Sequence, residues 1–258
     1  MDLNINFKDY FYENSLNELL NLNYEVNDNY SPEFVNQNDG GDAYRPELND
    51  LIRLHFIVRT RRILTVMELG AGWSTLVLAH AMKQNYDDYH SKIEGIRRKN
   101  PFKVYTVETE SKYADIVKDR IGNEYKDYVD FTVTTSSLTT FNDRICGKHD
   151  ELPNVCPDLI YVDGPNPKSI IGNINGIHMD HQDRTTVICD ALIIEPFLLP
   201  RTLILFDGLT NNARFHKNNF QRNWTYTHNE NEDYSIFELN EDPLGLYNRN
   251  QLKFQNII

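Results

Sequence analysis

Three apolar runs in this 258-residue chain stop at an acid: KVYTVE at Glu108, LIYVD at Asp163 and LILFD at Asp207. A fourth run, ILTVMEL, carries Glu68 one residue before its end. Continuous apolar runs of this length read as strands buried on both faces. Acids repeated at one edge of a sheet are hard to explain by stability alone. There a carboxylate can accept hydroxyl hydrogens, take a proton as a general base, or ligate a hard cation. Directly after the Glu68 run, the stretch GAGWST sets Gly70 and Gly72 around Ala71, and Ser74 and Thr75 open a helix. Glycine lets a chain turn sharply and approach a ligand closely. The following helix start offers unpaired N–H groups. A dinucleotide fingerprint would need a third glycine where Thr75 stands, so taken alone the turn is also explained as a tight strand-to-helix junction.

The elements that must position these residues alternate along the chain. PELNDLIRLHFIVRTR, from Pro46, has helical apolar spacing, and proline suits a first helical turn. Strand 63–69 follows, then helix STLVLAHAMK, a charged loop over 85–101, strand 102–108 and a helix over 110–121. Strands are expected at 128–135, 158–164 and 202–208, with a helix RTTVICDALIIEPFL before the last of these. WTYTHN and YSIFELN flank polar NENED as an antiparallel hairpin. The pattern predicts an α/β chain: a Rossmann-like doubly wound sheet, mostly parallel, with a C-terminal antiparallel hairpin. Ligands bind such sheets at the carboxyl ends of the strands, where strand order switches. Residues 1–45, rich in Asn, Asp and Tyr, read as an N-terminal arm or cap over a site, and 46–258 as one domain.

ELGAGWST after a buried strand resembles the first motif of the class I S-adenosylmethionine-dependent methyltransferases, and the resemblance runs over about residues 46–242. It implies that Glu68, Gly70, Ala71, Gly72, Ser74 and Thr75 form the loop under the methionine part of S-adenosyl-L-methionine, and that Glu108 holds the ribose. Many relatives carry an acid after the third strand for the adenine amino group. TTSSL stands there in this chain, leaving the contact to Ser136, Ser137 or a backbone group. The pair YVDGP and LILFDG resembles the metal-assisted small-molecule O-methyltransferases. That resemblance implies Asp163 and Asp207 as ligands of Mg2+ or another divalent cation. Relatives often have Asp or Asn where Gly208 stands, so Asn211 or Asn212 would supply a third oxygen. Asp163 then belongs to the cofactor contacts and to the catalytic groups as well.

A hydroxyl acceptor must lose a proton, to a metal-assisted path or to a base. The loop GIHMDHQDR offers His178, Asp180, His181 and Asp183, with His181 or His178 as the base and Lys168 in competition; for any single one of them a polar surface loop is the slightly better reading. Arg214, Lys217 and Arg222 read either as a solvated helix face or as a grip on an anionic or sugar-rich acceptor. Trp73 fits packing or a stack on the cofactor. The net charge of -12 repels nucleic-acid phosphates and anionic lipid. VDGPNP also lacks the Pro-Pro-aromatic sequence of base-methylating enzymes. The acceptor is therefore expected to be a small molecule or glycan hydroxyl, a sugar or sugar nucleotide foremost, with no nucleic acid and no membrane involved. Three cysteines, Cys146, Cys156 and Cys189, without a CxxC pair read as reduced thiols of a cytoplasmic protein. The sequence is compatible with a homo-oligomer. A nicotinamide-dependent oxidoreductase is the alternative enzyme class, opposed by Thr75 though suited by Glu108. A non-catalytic protein keeping the fold is opposed by the intact Asp163 and Asp207.

Overall fold

The apolar runs become strands because nearly every side chain in them is covered. All five residues of β1 (Thr65–Leu69) are buried, as are all four of β6 (Leu159–Val162) and the apolar four of β8 (Leu203–Asp207). A computed structural model describes Leu3, residues 5–24 and residues 47–258. With β2 (Lys103–Glu108), β3 (Val129–Val133), β9 (Trp224–Asn229) and β10 (Tyr234–Leu239), these strands form a seven-stranded sheet of order β3-β2-β1-β6-β8-β10-β9. Only β10 runs against its neighbours. This is the sheet that the resemblance implies. The chain leaves β1 toward β2 and β3 on one side and returns to β6 and β8 on the other, so the crevice between the β1 and β6 ends is the switch point.

Helices cover both faces. α3 (Leu48–Thr60) and α4 (Trp73–Tyr89) pack through Leu51, Ile52, Leu54, Val77, Leu78 and Ala81. α5 (Ser111–Tyr125) adds Val117 and Ile121 to the same core. The N-terminal helices α1 (Phe7–Glu13) and α2 (Leu16–Leu20) bury Phe11, Leu16 and Leu20 there too. Tyr10 Oη and His55 Nδ1 hydrogen bond at 2.8 Å, and His55 Nε2 meets His80 Nδ1 at 3.0 Å, which ties α1 through α3 to α4. Residues 25–45 of the expected cap lie outside the described residues.

The structure departs from expectation in three places. The third strand stops at Val133, and the chain then forms an extra hairpin of β4 (Ser136–Phe141) and β5 (Arg144–His149). Its turn, Asn142-Asp143, has φ of 49° and 60°, a left-handed pair that Asn and Asp tolerate. With β7 (Ile170–Ile171) the hairpin makes a separate three-stranded sheet. The long helix expected over 184–198 contracts to α6 (Asp190–Ile194) and a 3-10 turn. Before it, Val187–Cys189 lies along β5: Gly147 N donates to Val187 O at 2.8 Å and Cys189 N to Gly147 O at 2.9 Å. The β-branched run Thr185–Ile188 favours that extended path. The loop expected from 85 begins later, because α4 continues to Tyr89. α7 (Thr210–Lys217) follows β8, and α8 (Gly245–Phe254) closes the chain.

The amino ends of the strands are pinned by Asp158, 4% exposed. Its carboxylate accepts the amides of Leu64 (3.0 Å) and Thr65 (3.1 Å), Gln251 Nε2 at 2.6 Å, and the Arg98 guanidinium. Asp158→Ala leaves Arg98 buried without its counter-charge, which costs about 3–5 kcal/mol. Urea unfolding should show that loss, and Asp158→Asn, which keeps the acceptor oxygen, should lose less.

Candidate functional site

At the switch point the chain turns through Gly70, whose φ is +104°. A Cβ there would stand 3.1 Å from Gly164 N and 3.2 Å from Asp163 C, so glycine is required by the neighbouring strand end itself. Asp163 N donates to Leu69 O at 3.0 Å and locks the two ends together. At Gly72 an added Cβ would meet only Ser74, its Oγ at 3.6 Å and its N at 4.0 Å; of the two turn glycines this is the one with room over it.

Glu68 is fully buried and accepts three hydroxyls: Ser74 Oγ (2.6 Å), Thr75 Oγ1 (2.8 Å) and Thr106 Oγ1 (2.7 Å). Thr75 Oγ1 in turn accepts Gly72 N at 3.1 Å. Burial pushes the Glu68 carboxyl up to about 7 despite those donors, with Glu108 nearby adding to the rise. The side chains of Glu68, Ser74 and Thr75 thus hold the turn from beneath, and what faces outward is the backbone of Ala71 and Gly72. Glu108 lies beside it. Its Oε2 accepts Ala71 N at 2.9 Å, and its Oε1 accepts the amides of Thr109 (2.7 Å) and Glu110 (2.9 Å). Oε1 is filled by backbone, while Oε2 keeps a lone pair for a further donor.

Asp163 and Asp207, at the ends of β6 and β8, stand in a group of acids. Asp163 is open to solvent on one side and enclosed by protein on the others. Enclosure and the charges of Asp207, Glu68, Asp50 and Glu47 push its carboxyl well above the usual range. The neighbouring acids set that direction, and solvent access limits its size. Asp207, half-buried, accepts Tyr161 Oη at 2.8 Å; burial and Asp50 push it up to about 7 although Tyr161 and Arg53 act the other way. Glu47, exposed at the α3 N-terminus, also rises to about 7, through burial of part of the group and a hydrogen bond to Asp50. Sequence reasoning missed Glu47, Asp50 and Tyr161. The signal was PELND, two acids in the first turn of the helix before β1, which reads as ordinary helix-start charge.

Other expected residues lie elsewhere or point away. Asn212 is corrected as a ligand: it is fully buried, and its Oδ1 accepts Ile188 N at 3.2 Å. Asn211 is exposed on α7. Ser136 and Ser137 belong to the extra hairpin. Ser136 Oγ donates to Ser169 O at 3.0 Å and Ser137 Oγ to Asp150 Oδ1 at 2.5 Å. His181 is exposed and its Nδ1 accepts Asp183 N at 3.1 Å; no hydrogen bond among the described residues joins it to Asp163 or Asp207. The same holds for Lys168, exposed on a 3-10 turn, and for His178, whose carbonyl accepts Arg184. Arg222 is held by Glu241 and the carbonyls of Glu195 and Leu198, so it does not grip an acceptor. Arg214 is exposed on α7. Trp73 lies under the Arg120 guanidinium at 3.9 Å. Among the described residues no three His, Cys, Asp or Glu side chains converge to hold a metal ion, and no helix is long and apolar enough to cross a membrane.

No family model and no curated protein matches the chain in sequence. Solved structures are similar to it in fold. The O-methyltransferase TomG from Streptomyces achromogenes, in complex with S-adenosylmethionine, is 13% identical over 93% of this chain and 93% of that one, with a TM-score of 0.42. An O-methyltransferase from Bacillus cereus with bound S-adenosylhomocysteine is 14% identical over 91% and 90%, TM-score 0.44. The methyltransferase PaMTH1 from Podospora anserina, also with S-adenosylhomocysteine, is 11% identical over 76% and 80%, TM-score 0.46. At these identities no residue's role is carried across.

The acids generate a pH signature with a definite sign. A carboxyl raised from 3.8 to about 7 in the fold binds its proton more tightly there than in the unfolded chain. The stability this gives is present below pH 3.8 and is lost as pH rises through 7. Asp207→Asn removes that loss and keeps an acceptor for Tyr161. Its melting temperature should therefore gain on wild type between pH 5.5 and pH 8.5. A constant difference across that range would show that Asp207 is not held among other charges. Gly70→Ala, strained by the positive φ, should cost about 1–2 kcal/mol at any pH.

Proposed function

We propose that the chain transfers a methyl group from S-adenosylmethionine to a hydroxyl of a small polar acceptor. The observation that carries this reading is the meeting, at one switch point, of an open glycine backbone, a carboxylate with a spare lone pair and a second acid with a raised proton affinity: Gly72, Glu108 and Asp163. The resemblance in the sequence supports it.

The residues fit the cofactor. The outward backbone at Ala71–Gly72 leaves room that any side chain at 72 would fill. Glu108 Oε2 can accept a ribose hydroxyl, with Oε1 anchored on the Thr109 and Glu110 amides so that the carboxylate cannot swing away. We place Asp150 in the adenine contact that TTSSL lacks. Its amide donates to Thr135 O at 2.9 Å and its carboxylate accepts Thr135 Oγ1 at 2.6 Å, so the extra hairpin returns an acid to the segment after β3. The hydroxyl of Ser137 holds the Asp150 carboxyl below the usual range, and it stays ionised to accept an amino group.

S-adenosylmethionine supplies an already activated methyl group. What remains for the chain is alignment and proton removal. Asp163 is the base: its carboxylate accepts the acceptor's hydroxyl proton as the oxygen attacks, and its raised proton affinity favours that transfer. Asp207, held by Tyr161, orients the same hydroxyl. Asp163 and Asp207 could form one side of a cation's shell, but Asn212 is turned inward and does not complete it, so no step is routed through a metal. The net charge keeps nucleic acid away as acceptor.

Calorimetry with S-adenosylmethionine is the first test. Gly72→Val should fold normally and lose binding. Glu108→Gln should bind at least tenfold more weakly, a charge-assisted hydrogen bond being worth about 1.5–3 kcal/mol. Wild-type affinity in both would place the cofactor elsewhere. Asp163→Asn should abolish transfer and spare S-adenosylhomocysteine binding. Transfer that continues in chelator supports Asp163 as the base, and activity restored only by magnesium or manganese would reinstate a metal. A methylated nitrogen or carbon in the product would refute the hydroxyl acceptor.

A further inference from the structure

Beside the acids, at the same edge of the sheet, is a cavity of about 380 Å³ between α1 and the β9–β10 hairpin, lined by Phe7, Arg53, Thr227, His228, Asn229 and Tyr234 among others. One of its lining residues, Tyr234, is the β10 residue paired with Asp207. Arg53 is its back wall. That side chain is 1% exposed, lies 4.0 Å from the Tyr234 ring centroid, and bridges Asp50 of the acid group to Glu232 of the hairpin tip. Two carboxylates outweigh its one charge.

The rest of the lining presents mostly acceptors. His228 Nδ1 is engaged at 3.0 Å with Ser235 Oγ and at 3.2 Å with Tyr234 O, which leaves Nε2 for a ligand hydroxyl. Glu230 and Glu232 line the mouth. Asn229 Oδ1 is engaged with the amides of Asn231 and Glu232, which leaves its NH2 group to donate. Two aromatic rings on the wall, Phe7 and Tyr234, scattered donors and acceptors, and surplus negative charge suit hydroxyl groups and repel phosphate or carboxylate.

We propose that this cavity receives the part of the acceptor remote from the reacting hydroxyl, and that it selects a polyhydroxylated ring bearing no anionic group. This rests on the methyl-transfer reading and narrows it, since a sugar nucleotide is then excluded. Arg53, Thr227 and His228 are specificity residues on this assignment.

The test is ligand-observed saturation-transfer NMR on the full chain, with and without S-adenosylhomocysteine. Four probes share one ring: N-acetylglucosamine, glucosamine, glucuronate and glucose 6-phosphate. The first two should bind, and the two anions at least tenfold more weakly. Thr227→Tyr, on an edge strand that accepts either residue, should fill the cavity and remove the sugar signal while leaving S-adenosylhomocysteine affinity unchanged. Asn231→Trp, at the exposed hairpin tip, serves the same purpose should the first variant fold poorly. Equal or tighter binding of the anions, no binding by any probe, or sugar signals that survive both variants would overturn the assignment. Loss of S-adenosylhomocysteine binding in the wild-type chain would instead refute the methyl-transfer reading, and the cofactor-free arm would still decide the cavity.

Discussion

The site depends on one buried carboxylate. Glu68 has no solvent to stabilise its charge, and the three hydroxyls of Ser74, Thr75 and Thr106 take water's place. Those hydroxyls come from two elements, the start of α4 and the middle of β2. Satisfying Glu68 therefore fixes the helix start over the strand end and presses β2 against β1 at the same register. Thr75 passes the constraint on by accepting the Gly72 amide. The outward backbone at Gly72 and the position of Glu108 beside Ala71 follow from it. A leucine at 68 would bury as much surface and leave three hydroxyls and the turn without a common anchor.

A second layer of order comes from acids that are not neutralised. Arg53 and Tyr161 hold Asp50 and Asp207 in place, yet Asp163, Asp207 and Glu47 all remain raised above ordinary carboxylates. Concentrating like charge at strand ends lowers stability, and folds keep such arrangements where function uses them. The contrast with Asp158 at the opposite edge makes the point. That acid meets a guanidinium, two amides and Gln251, and it stabilises the fold. One edge of the sheet carries a compensated acid and the other carries acids in excess.

Much of this was legible in the sequence for a simple reason. Strands buried on both faces leave continuous apolar runs, so β1, β2, β6 and β8 and the acids that end them could be read directly. The β9–β10 hairpin was legible from two alternating runs around NENED. Elements with weak burial were not. The β4–β5 hairpin is made of Ser, Thr, Arg and Lys with few apolar residues, and only the Asn142-Asp143 pair marked its turn. The short α6 was overread because Thr185–Ile188 and the following helix are both apolar, and periodicity does not separate them. Asn212 was misplaced for want of a helical count: it lies with Ala213 and His216 on the inner face of α7, and Asn211 faces out. Asp50 and Glu47 reach the acids of the strand ends by topology, from a helix far away in the chain, and no local pattern announces that.

The excess of acid also bears on the proposed reaction itself. S-adenosylmethionine carries a sulfonium cation, and transfer leaves a neutral thioether. Left alone, that change would strip a positive charge from a crowded group of carboxylates and raise their mutual repulsion as the methyl group leaves. Asp163 gains the acceptor's proton in the same event, so one positive charge is lost and one is added within the same few side chains. The net charge held by the strand ends is unchanged across the step, and little reorganisation of the surroundings is demanded. Burial raises the proton affinity of Asp163, and Asp207, Glu68, Asp50 and Glu47 raise it further and are relieved when the proton arrives. A lone acid at the end of β6 would be the weaker base, and the acids on α3 and β8 are what make it a better one.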